Sequence, residues 1–207
     1  MEAKICGVKD SKTLNYIINH KHPPKFIGFI TNYKKSKRYI EYSELKKLVN
    51  VKKNGINFVS VLVNPDEYIL EKIKKINFDF YQLYDVTPKK TELIKKKYKK
   101  KIITSITVKN KSDVNKYKKF KSFSDIILFD SKGYEKSLGF DHRLLNDVPS
   151  SINKMLAGNI QFNHRLDKYS KITDIIDISG SLETSGEKDI SKIDIFLKNI
   201  KKINDET

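Results

Sequence analysis

Short, nearly continuous apolar runs recur along the chain and are separated by segments with helical spacing. The runs cover residues 4–8, 26–30, 56–64, 78–85, 102–108, 125–130, 152–158 and 174–180. Runs that are apolar throughout, rather than alternating with polar residues, are typical of parallel strands covered on both faces. The pattern therefore predicts eight parallel strands.

The segments between these runs carry apolar residues at helical intervals. In the last segment Ile190, Ile193, Phe196, Leu197 and Ile200 form one apolar stripe. Prolines in the segments PDEYILEKIKKI and TPKK stand where a helix begins, since proline suits a first turn. Alternation of strand and helix repeated eight times predicts a single (β/α)8 barrel domain over residues 1–207. An open doubly wound sheet is the alternative, because one sequence does not reveal strand order.

The charge is strongly positive, with 42 basic and 25 acidic residues in 207, a net charge of +17. Such an excess can indicate a nucleic-acid partner or an anionic surface. The basic residues are almost all lysines, and the runs at 95–101 and 116–121 fit the solvated faces of helices. We therefore predict no nucleic-acid partner, while the positive field would still attract a small anionic substrate.

The single cysteine, Cys6, excludes an internal disulfide and any site with several cysteine ligands. The histidines lack useful ligand spacing, so we predict no metal site. The sequence also contains no Walker loop and no G-x-G-x-x-G motif. No apolar run approaches the ~18 residues that a membrane span needs. These features predict a cytoplasmic protein that does not contact a membrane, and we expect a monomer or a homodimer.

In a barrel of this kind, chemistry takes place where the strands end. The polar residues at these positions include Cys6 and two candidate contacts with substrate, Arg38 and Gln82. The cysteine is either a small buried hydrophobe or, at the mouth of a basic barrel, a base or nucleophile. Gly7, which follows it, would leave space for a ligand to approach the backbone.

Asp130 ends the sixth run, which has no other charge after its first residue. It either tightens the following turn or, with a pKa raised by partial burial, donates a proton. A cysteine on strand one and an aspartate on strand six would face each other across the barrel mouth. An acid/base pair is therefore possible.

Small residues follow the last two strands, where barrels often bind phosphate through backbone N–H groups and a short helix N-terminus. The segments are MLAGN at 155–159 and DISGSLETSGEKD at 177–189. Together they predict a phosphorylated small-molecule substrate held by these final loops. The candidate contacts are Gly158, Asn159, Asp177, Ser179, Gly180 and Ser181.

The motifs KICGVKD, KSKRYI, VSVLVN, YQLYD, LAGN and DISGSLETSGEKD, in this order, resemble phosphoribosylanthranilate isomerase of tryptophan biosynthesis. The resemblance spans nearly the whole chain. It implies a (β/α)8 barrel that converts N-(5-phosphoribosyl)anthranilate into 1-(2-carboxyphenylamino)-1-deoxyribulose 5-phosphate without a cofactor. It also implies Asp130 as general acid, Cys6 as general base and Arg38 as the partner of the anthranilate carboxylate.

Three features depart from the family pattern. Tyr84 stands where the family commonly has histidine, the glycine of the last motif is moved to Gly180, and the glycine-rich loop at 132–139 is thinned. Because Cys6, Arg38 and Asp130 remain, we expect an active enzyme. The alternatives are a nucleic-acid-binding barrel, a pseudoenzyme that binds without turnover, and an isomerase with a second substrate from histidine biosynthesis.

Overall fold

The computed structural model describes residues 1–131 and 139–206. Its centre is a closed barrel of eight parallel strands, each paired with its neighbours in chain order and the first paired with the last. The strands are β1 (Glu2–Cys6), β2 (Phe26–Ile30), β3 (Asn57–Val63), β4 (Phe80–Tyr84), β5 (Lys101–Val108), β6 (Ile126–Ser131), β7 (Lys154–Leu156) and β8 (Ile175–Ile178). The predicted barrel is confirmed, and the open sheet is wrong because β8 pairs with β1.

Several strands end earlier than the apolar runs suggest, because the backbone turns into the left-handed region. Gly7 follows β1 with a φ of +76°, and Asp85 follows β4 with a φ of +54°. After β7, Gly158 has a φ of +100°. Residues with positive φ cannot continue an extended strand, so each of these strands is followed by a turn.

Helices and turns connect the strands on the outside of the barrel. The helices are α1 (Ser11–Ile18), α2 (Tyr42–Leu48), α3 (Glu67–Ile73), α4 (Pro88–Tyr98), α5 (Lys111–Val114) and α6 (Ile190–Asp205). Where the sequence predicts helices after β6 and β7, the described residues contain 3₁₀ turns at His142–Leu145 and Asp167–Tyr169. A two-stranded hairpin, β9 (Glu183–Thr184) with β10 (Glu187–Lys188), precedes α6.

The predicted stripe of α6 packs against the barrel, with four of its five residues buried and Ile190 half-buried. Pro88 is the first residue of α4, behind the N-cap Thr87, as predicted. Pro65 lies one position before Asp66, the N-cap of α3, and so precedes the helix rather than opening it. Asp66 accepts a hydrogen bond from the Ile69 N–H and therefore caps the first turn of α3.

Side chains alternate between the barrel interior and the layer under the helices. On β4, Phe80 and Tyr84 belong to the interior cluster, whereas Tyr81 and Leu83 pack under the helices. Gln82, between these outward residues, therefore points into the barrel. The same period of two places Lys4 and Cys6 of β1 on the inner side.

The lysine runs lie on the surface. Lys96 and Lys97 of α4 are exposed, while Tyr98 beside them is buried against the barrel. No helix within the described ranges is long and apolar enough to cross a membrane. The predicted change in the glycine-rich loop at 132–139 falls almost entirely outside the described residues.

Candidate active site

A cavity of about 460 Å³ opens at the carboxyl ends of the strands. The predicted site residues that line it are Cys6, Arg38, Asp130, Gly158, Asn159, Asp177, Ser179, Gly180 and Ser181. The fold therefore brings the predicted acid and the predicted base to one space. Gly7 and Gln82 are not among the residues that line this space.

Cys6 ends β1 on one side of the cavity and lies beside a buried ion pair. The Lys4 Nζ is 2.8 Å from the Asp177 Oδ2, and the two residues are aligned in the β1–β8 register. The Lys4 side chain is 0% exposed and that of Asp177 is 6% exposed. A buried charge requires a partner, and this pair supplies one within the barrel.

The surroundings of Cys6 decide how readily its thiol ionises. Burial raises the pKa of Cys6, while the Lys4 ammonium acts against this shift and Asp177 adds to it. Burial also works to lower the pKa of Lys4, but Asp177 and Cys6 outweigh it, so the pKa is raised and the ammonium stays charged. Lys4 is therefore a cation held beside the thiol, where it favours the thiolate.

Gly28 of β2 provides the room for this arrangement. A Cβ at this position would lie 2.9 Å from the Cys6 Sγ and 3.2 Å from the Lys4 Nζ. Distances this short would force one of the two groups to move. The absence of a side chain at Gly28 thus allows thiol and ammonium to lie next to each other.

Asp130 lies on β6, and both of its carboxyl oxygens accept hydrogen bonds. The Tyr84 hydroxyl donates to Oδ2 over 2.8 Å, and the Ser131 N–H donates to Oδ1 over 2.8 Å. Burial raises the pKa of Asp130 to about 6, although the Tyr84 and Ser131 hydrogen bonds act in the opposite direction. A carboxyl with such a pKa can hold or release a proton near neutral pH.

Tyr84 itself stays protonated. Burial raises its pKa well above the ordinary value, and the neighbouring Asp130 adds to the shift. The Tyr84 hydroxyl is therefore a hydrogen-bond donor at every pH at which Asp130 titrates. The residue that departs from the family pattern lies directly against the predicted acid.

Arg38 reaches the cavity in an ion pair with Glu183 of β9. Its Nε and Nη2 lie 2.5 and 2.8 Å from the two Glu183 carboxylate oxygens. Lys188 of β10 contacts the same carboxylate at 2.7 Å. Burial would raise the pKa of Glu183, but the two cations hold it below its usual range. The other edge of the guanidinium retains N–H donors that can bind a second carboxylate.

Gly7 has a different role from the one expected. The sequence suggests that Gly7 leaves space for a ligand, but Arg38 fills this space: a Cβ on Gly7 would lie 2.3 Å from the Arg38 Cδ. The residue after the cysteine therefore lets the arginine stem cross the end of β1. Its φ of +76° also favours glycine.

The loops after β7 and β8 contribute the remaining small residues. Gly158 packs so closely on Ser131 that a Cβ would lie 3.0 Å from the serine side chain. Gly180 and Ser181 open a 3₁₀ turn at Gly180–Leu182. The buried Ser181 Oγ has no hydrogen-bond partner among residues 1–131 and 139–206. Ser179 is tied to β1, because its hydroxyl donates to the Cys6 carbonyl over 2.9 Å.

Gln82 lies deeper in the barrel, two positions before Tyr84 on β4. It is completely buried, and its side-chain amide has no partner in the described part of the chain. Its predicted contact with substrate stays a prediction. In the same ranges, no group of three His, Cys, Asp or Glu residues could hold a metal ion.

Comparison with known families identifies the arrangement. The sequence profile described as N-(5'-phosphoribosyl)anthranilate (PRA) isomerase matches residues 3–199. The chain belongs to the N-(5'-phosphoribosyl)anthranilate isomerase family. The match includes Lys4, Cys6, Tyr84, Asp130 and Glu183, so it covers the whole of the site described above.

Curated relatives agree with this assignment, and a solved structure shares the fold. The isomerase of Rhizobium etli is 30% identical over 206 residues, covering 94% of this chain and 91% of the relative. That of Agrobacterium fabrum is 27% identical over 206 residues, with 94% and 92% covered. A solved phosphoribosyl anthranilate isomerase from Thermotoga maritima superposes with a TM-score of 0.85 at 23% identity, covering 98% and 99% of the two chains.

Lys4, Glu183 and Lys188 belong to this isomerase-family site, but the sequence-based predictions give them no role. Lys4 lies two positions before Cys6 and so on the same strand face, a spacing that could have revealed it. Glu183 is 145 positions from Arg38, and no local pattern connects them. The sequence marks Tyr84 only as a departure from the family histidine, whereas in the structure its hydroxyl donates to Asp130.

Proposed function

We propose that this chain catalyses the isomerisation of N-(5-phosphoribosyl)anthranilate to 1-(2-carboxyphenylamino)-1-deoxyribulose 5-phosphate in tryptophan biosynthesis. Family membership and the names of the curated relatives support the reaction. A solved phosphoribosyl anthranilate isomerase, with a TM-score of 0.84 to this chain, is in complex with reduced 1-(o-carboxyphenylamino)-1-deoxyribulose 5-phosphate. The observation that carries the proposal is the shared cavity of Cys6 and Asp130, a base and an acid at one space.

The reaction begins with ring opening. Asp130 gives its proton to the furanose ring oxygen, the bond from that oxygen to C1 breaks, and the nitrogen lone pair forms an iminium ion. The electron pair of the broken O–H bond stays on Asp130 as a carboxylate. Burial suits this step because it keeps a proton on the acid at a higher pH than in water.

Proton removal from C2 follows. The iminium nitrogen acidifies the C2 proton, the Cys6 thiolate takes it, and the resulting enolamine tautomerises to the ketone. Lys4 remains charged and stabilises the thiolate that performs this step. The protein thus needs one proton donor, one proton acceptor and a cation that stays in place.

Binding groups hold the two anionic ends of the substrate. Arg38 presents the guanidinium edge that is not bound by Glu183 to the anthranilate carboxylate. The loops at Gly158, Asn159, Gly180 and Ser181 receive the phosphate through backbone N–H groups, with the buried Ser181 hydroxyl close by. The basic character of the chain favours the encounter with such an anion.

Turnover by the purified chain tests the function. We expect loss of substrate fluorescence when the chain is coupled to the next enzyme of the pathway. Cys6→Ala and Asp130→Asn should each lower kcat by roughly 10²- to 10⁴-fold, the usual contribution of a general acid or base. Binding without turnover by the unmodified chain, or full activity of Cys6→Ala, would overturn the proposal.

The proposal also covers the cellular compartment and the oligomeric state of the enzyme. We infer a cytoplasmic enzyme that acts as a monomer or homodimer on a small phosphorylated substrate. Its single cysteine is consistent with a reducing compartment. A sedimentation experiment at assay concentration would decide between the two oligomeric states.

A further inference from the structure

Tyr84 lies against the predicted acid in a way that the reaction can use. Its hydroxyl donates to the Asp130 Oδ2 over 2.8 Å, on the inner side of the barrel between β4 and β6. Tyr84 is 9% exposed and lines the same cavity as Asp130 and Cys6. A donor at this distance fixes the direction of the carboxyl group.

We propose that Tyr84 is a positioning residue that holds the Asp130 carboxyl towards the substrate and stabilises the negative charge that appears on it during ring opening. The proposal rests on the proposed function, since it assigns the charge to that step. No proton leaves Tyr84. The proton moves from Asp130 to the ring oxygen, and the Tyr84 O–H continues to donate to the carboxylate that remains.

The hydrogen bond from Tyr84 to Asp130 becomes stronger as the reaction proceeds. A hydroxyl bound to a neutral carboxyl makes an ordinary hydrogen bond, whereas the same hydroxyl bound to a carboxylate makes a charge-assisted one. An interaction that is stronger in the transition state than in the ground state lowers the barrier. The Ser131 N–H supports the other oxygen in the same manner.

Other charged groups near Asp130 must be separated from the effect of Tyr84. Asp177 of β8 disfavours the Asp130 carboxylate, and Lys4 of β1 favours it, whereas Tyr84 and the Ser131 N–H act by direct hydrogen bonds. Cys6 faces Tyr84 from β1. A test must therefore remove the Tyr84 hydroxyl and leave all of these groups in place.

Tyr84→Phe makes this change, and Tyr81→Phe is its matched control. Both tyrosines belong to β4 and are buried, but Tyr81 lies under the helices, where its hydroxyl has no partner among the described residues. Each variant loses one buried hydroxyl from the same strand. A difference between the two variants therefore reports the contact with Asp130.

The first measurement is the titration of the Asp130 carboxyl carbon by NMR in the chain without substrate. We expect the midpoint to rise by about 1 pH unit in Tyr84→Phe, the size expected for a lost hydrogen bond to a charged group. Tyr81→Phe should titrate like the unmodified chain. An unchanged midpoint in Tyr84→Phe overturns the proposal, whether or not the chain isomerises the substrate.

The second measurement is kcat/KM at pH 5, where Asp130 holds its proton in both proteins. We expect Tyr84→Phe to be roughly 10-fold slower and Tyr81→Phe to be unaffected. The deficit should shrink at higher pH, because the variant keeps more of its Asp130 protonated. An equal loss at every pH would indicate a structural defect and contradict the proposed role.

A third measurement needs no variant. The ring-carbon resonance beside the Tyr84 hydroxyl should shift in the unmodified chain with the same midpoint as Asp130, while that of Tyr81 should not. A Tyr84 resonance that ignores the Asp130 titration would overturn the proposal. A chain with coupled titration but no isomerase activity would refute the proposed function and, with it, the role in ring opening, while the hydrogen bond that Tyr84 donates to Asp130 would stand.

Discussion

The two sides of the cavity control their protons by different means. On the base side, Cys6 lies beside a buried Lys4–Asp177 ion pair, so full charges surround the thiol. On the acid side, Asp130 receives two hydrogen bonds from neutral donors, Tyr84 and the Ser131 N–H. Burial raises the pKa of both Cys6 and Asp130. A buried thiol needs a nearby cation in order to ionise, whereas hydrogen bonds from neutral donors are enough for a buried carboxyl to release its proton.

The stability of the chain should be more sensitive to substitutions on the base side, where the buried side chains are charged. Removing one partner of a buried ion pair leaves an unpaired charge in the barrel, which costs about 3–5 kcal/mol. We therefore expect Lys4→Met to lower the free energy of unfolding by about this amount, measured by urea denaturation, whereas Tyr84→Phe should lose about 1 kcal/mol.

The double variant Lys4→Met/Asp177→Leu is the control for this prediction. It replaces both charges by apolar groups and should recover most of the lost stability. A double variant less stable than Lys4→Met alone would show that the ion pair contributes more to stability than the mutual neutralisation of its two charges. Stability of Lys4→Met equal to that of the unmodified chain would contradict the comparison.

A smaller effect is expected at the end of β1, where Gly7 meets Arg38. Gly7→Ala adds both backbone strain and a Cβ at 2.3 Å from the Arg38 Cδ, whereas Gly55→Ala adds strain at a similar φ with nothing within 4 Å. We expect Gly7→Ala to be about 1–3 kcal/mol less stable than Gly55→Ala. It should also raise KM, because Arg38 is displaced. Equal losses in the two variants would leave the packing of Arg38 without energetic importance.

The pH profile gives the finest comparison of the two sides. The proposed mechanism needs Asp130 protonated and Cys6 ionised, yet burial raises the pKa of Asp130 only to about 6 and that of Cys6 above its ordinary value. The acid therefore loses its proton before the base does. We expect kcat/KM to rise up to about pH 6, remain level, and fall only above the Cys6 pKa.

Each side of the cavity should determine one limb of the pH profile. Lys4→Met should move the falling limb to higher pH and lower the level section, since the thiolate loses its cation. Tyr84→Phe should move the rising limb to higher pH instead. Variants that shift the same limb would show that the two sides do not act separately.

The sequence allowed the barrel and the convergence of Cys6 and Asp130 to be predicted, because apolar runs and strand ends follow from local patterns. Contacts between residues that are distant along the chain are harder to predict from the sequence. Arg38 and Glu183 meet across 145 positions, and Lys4 and Asp177 meet across 173. Gly7 shows a further limit, since its φ could be anticipated but the Arg38 stem that fills its space could not.

The closure of β8 onto β1 has a consequence for the nascent chain. Lys4 and Asp177 are separated by 173 positions, whereas Tyr84 and Asp130 are only 46 apart. As the ribosome releases the chain from its beginning, the acid-side contact can form well before β8 has been made. Lys4, beside Cys6, gains its partner Asp177 only after β8 has been made, shortly before the last helix. Thiol reactivity would therefore report the final step of assembly.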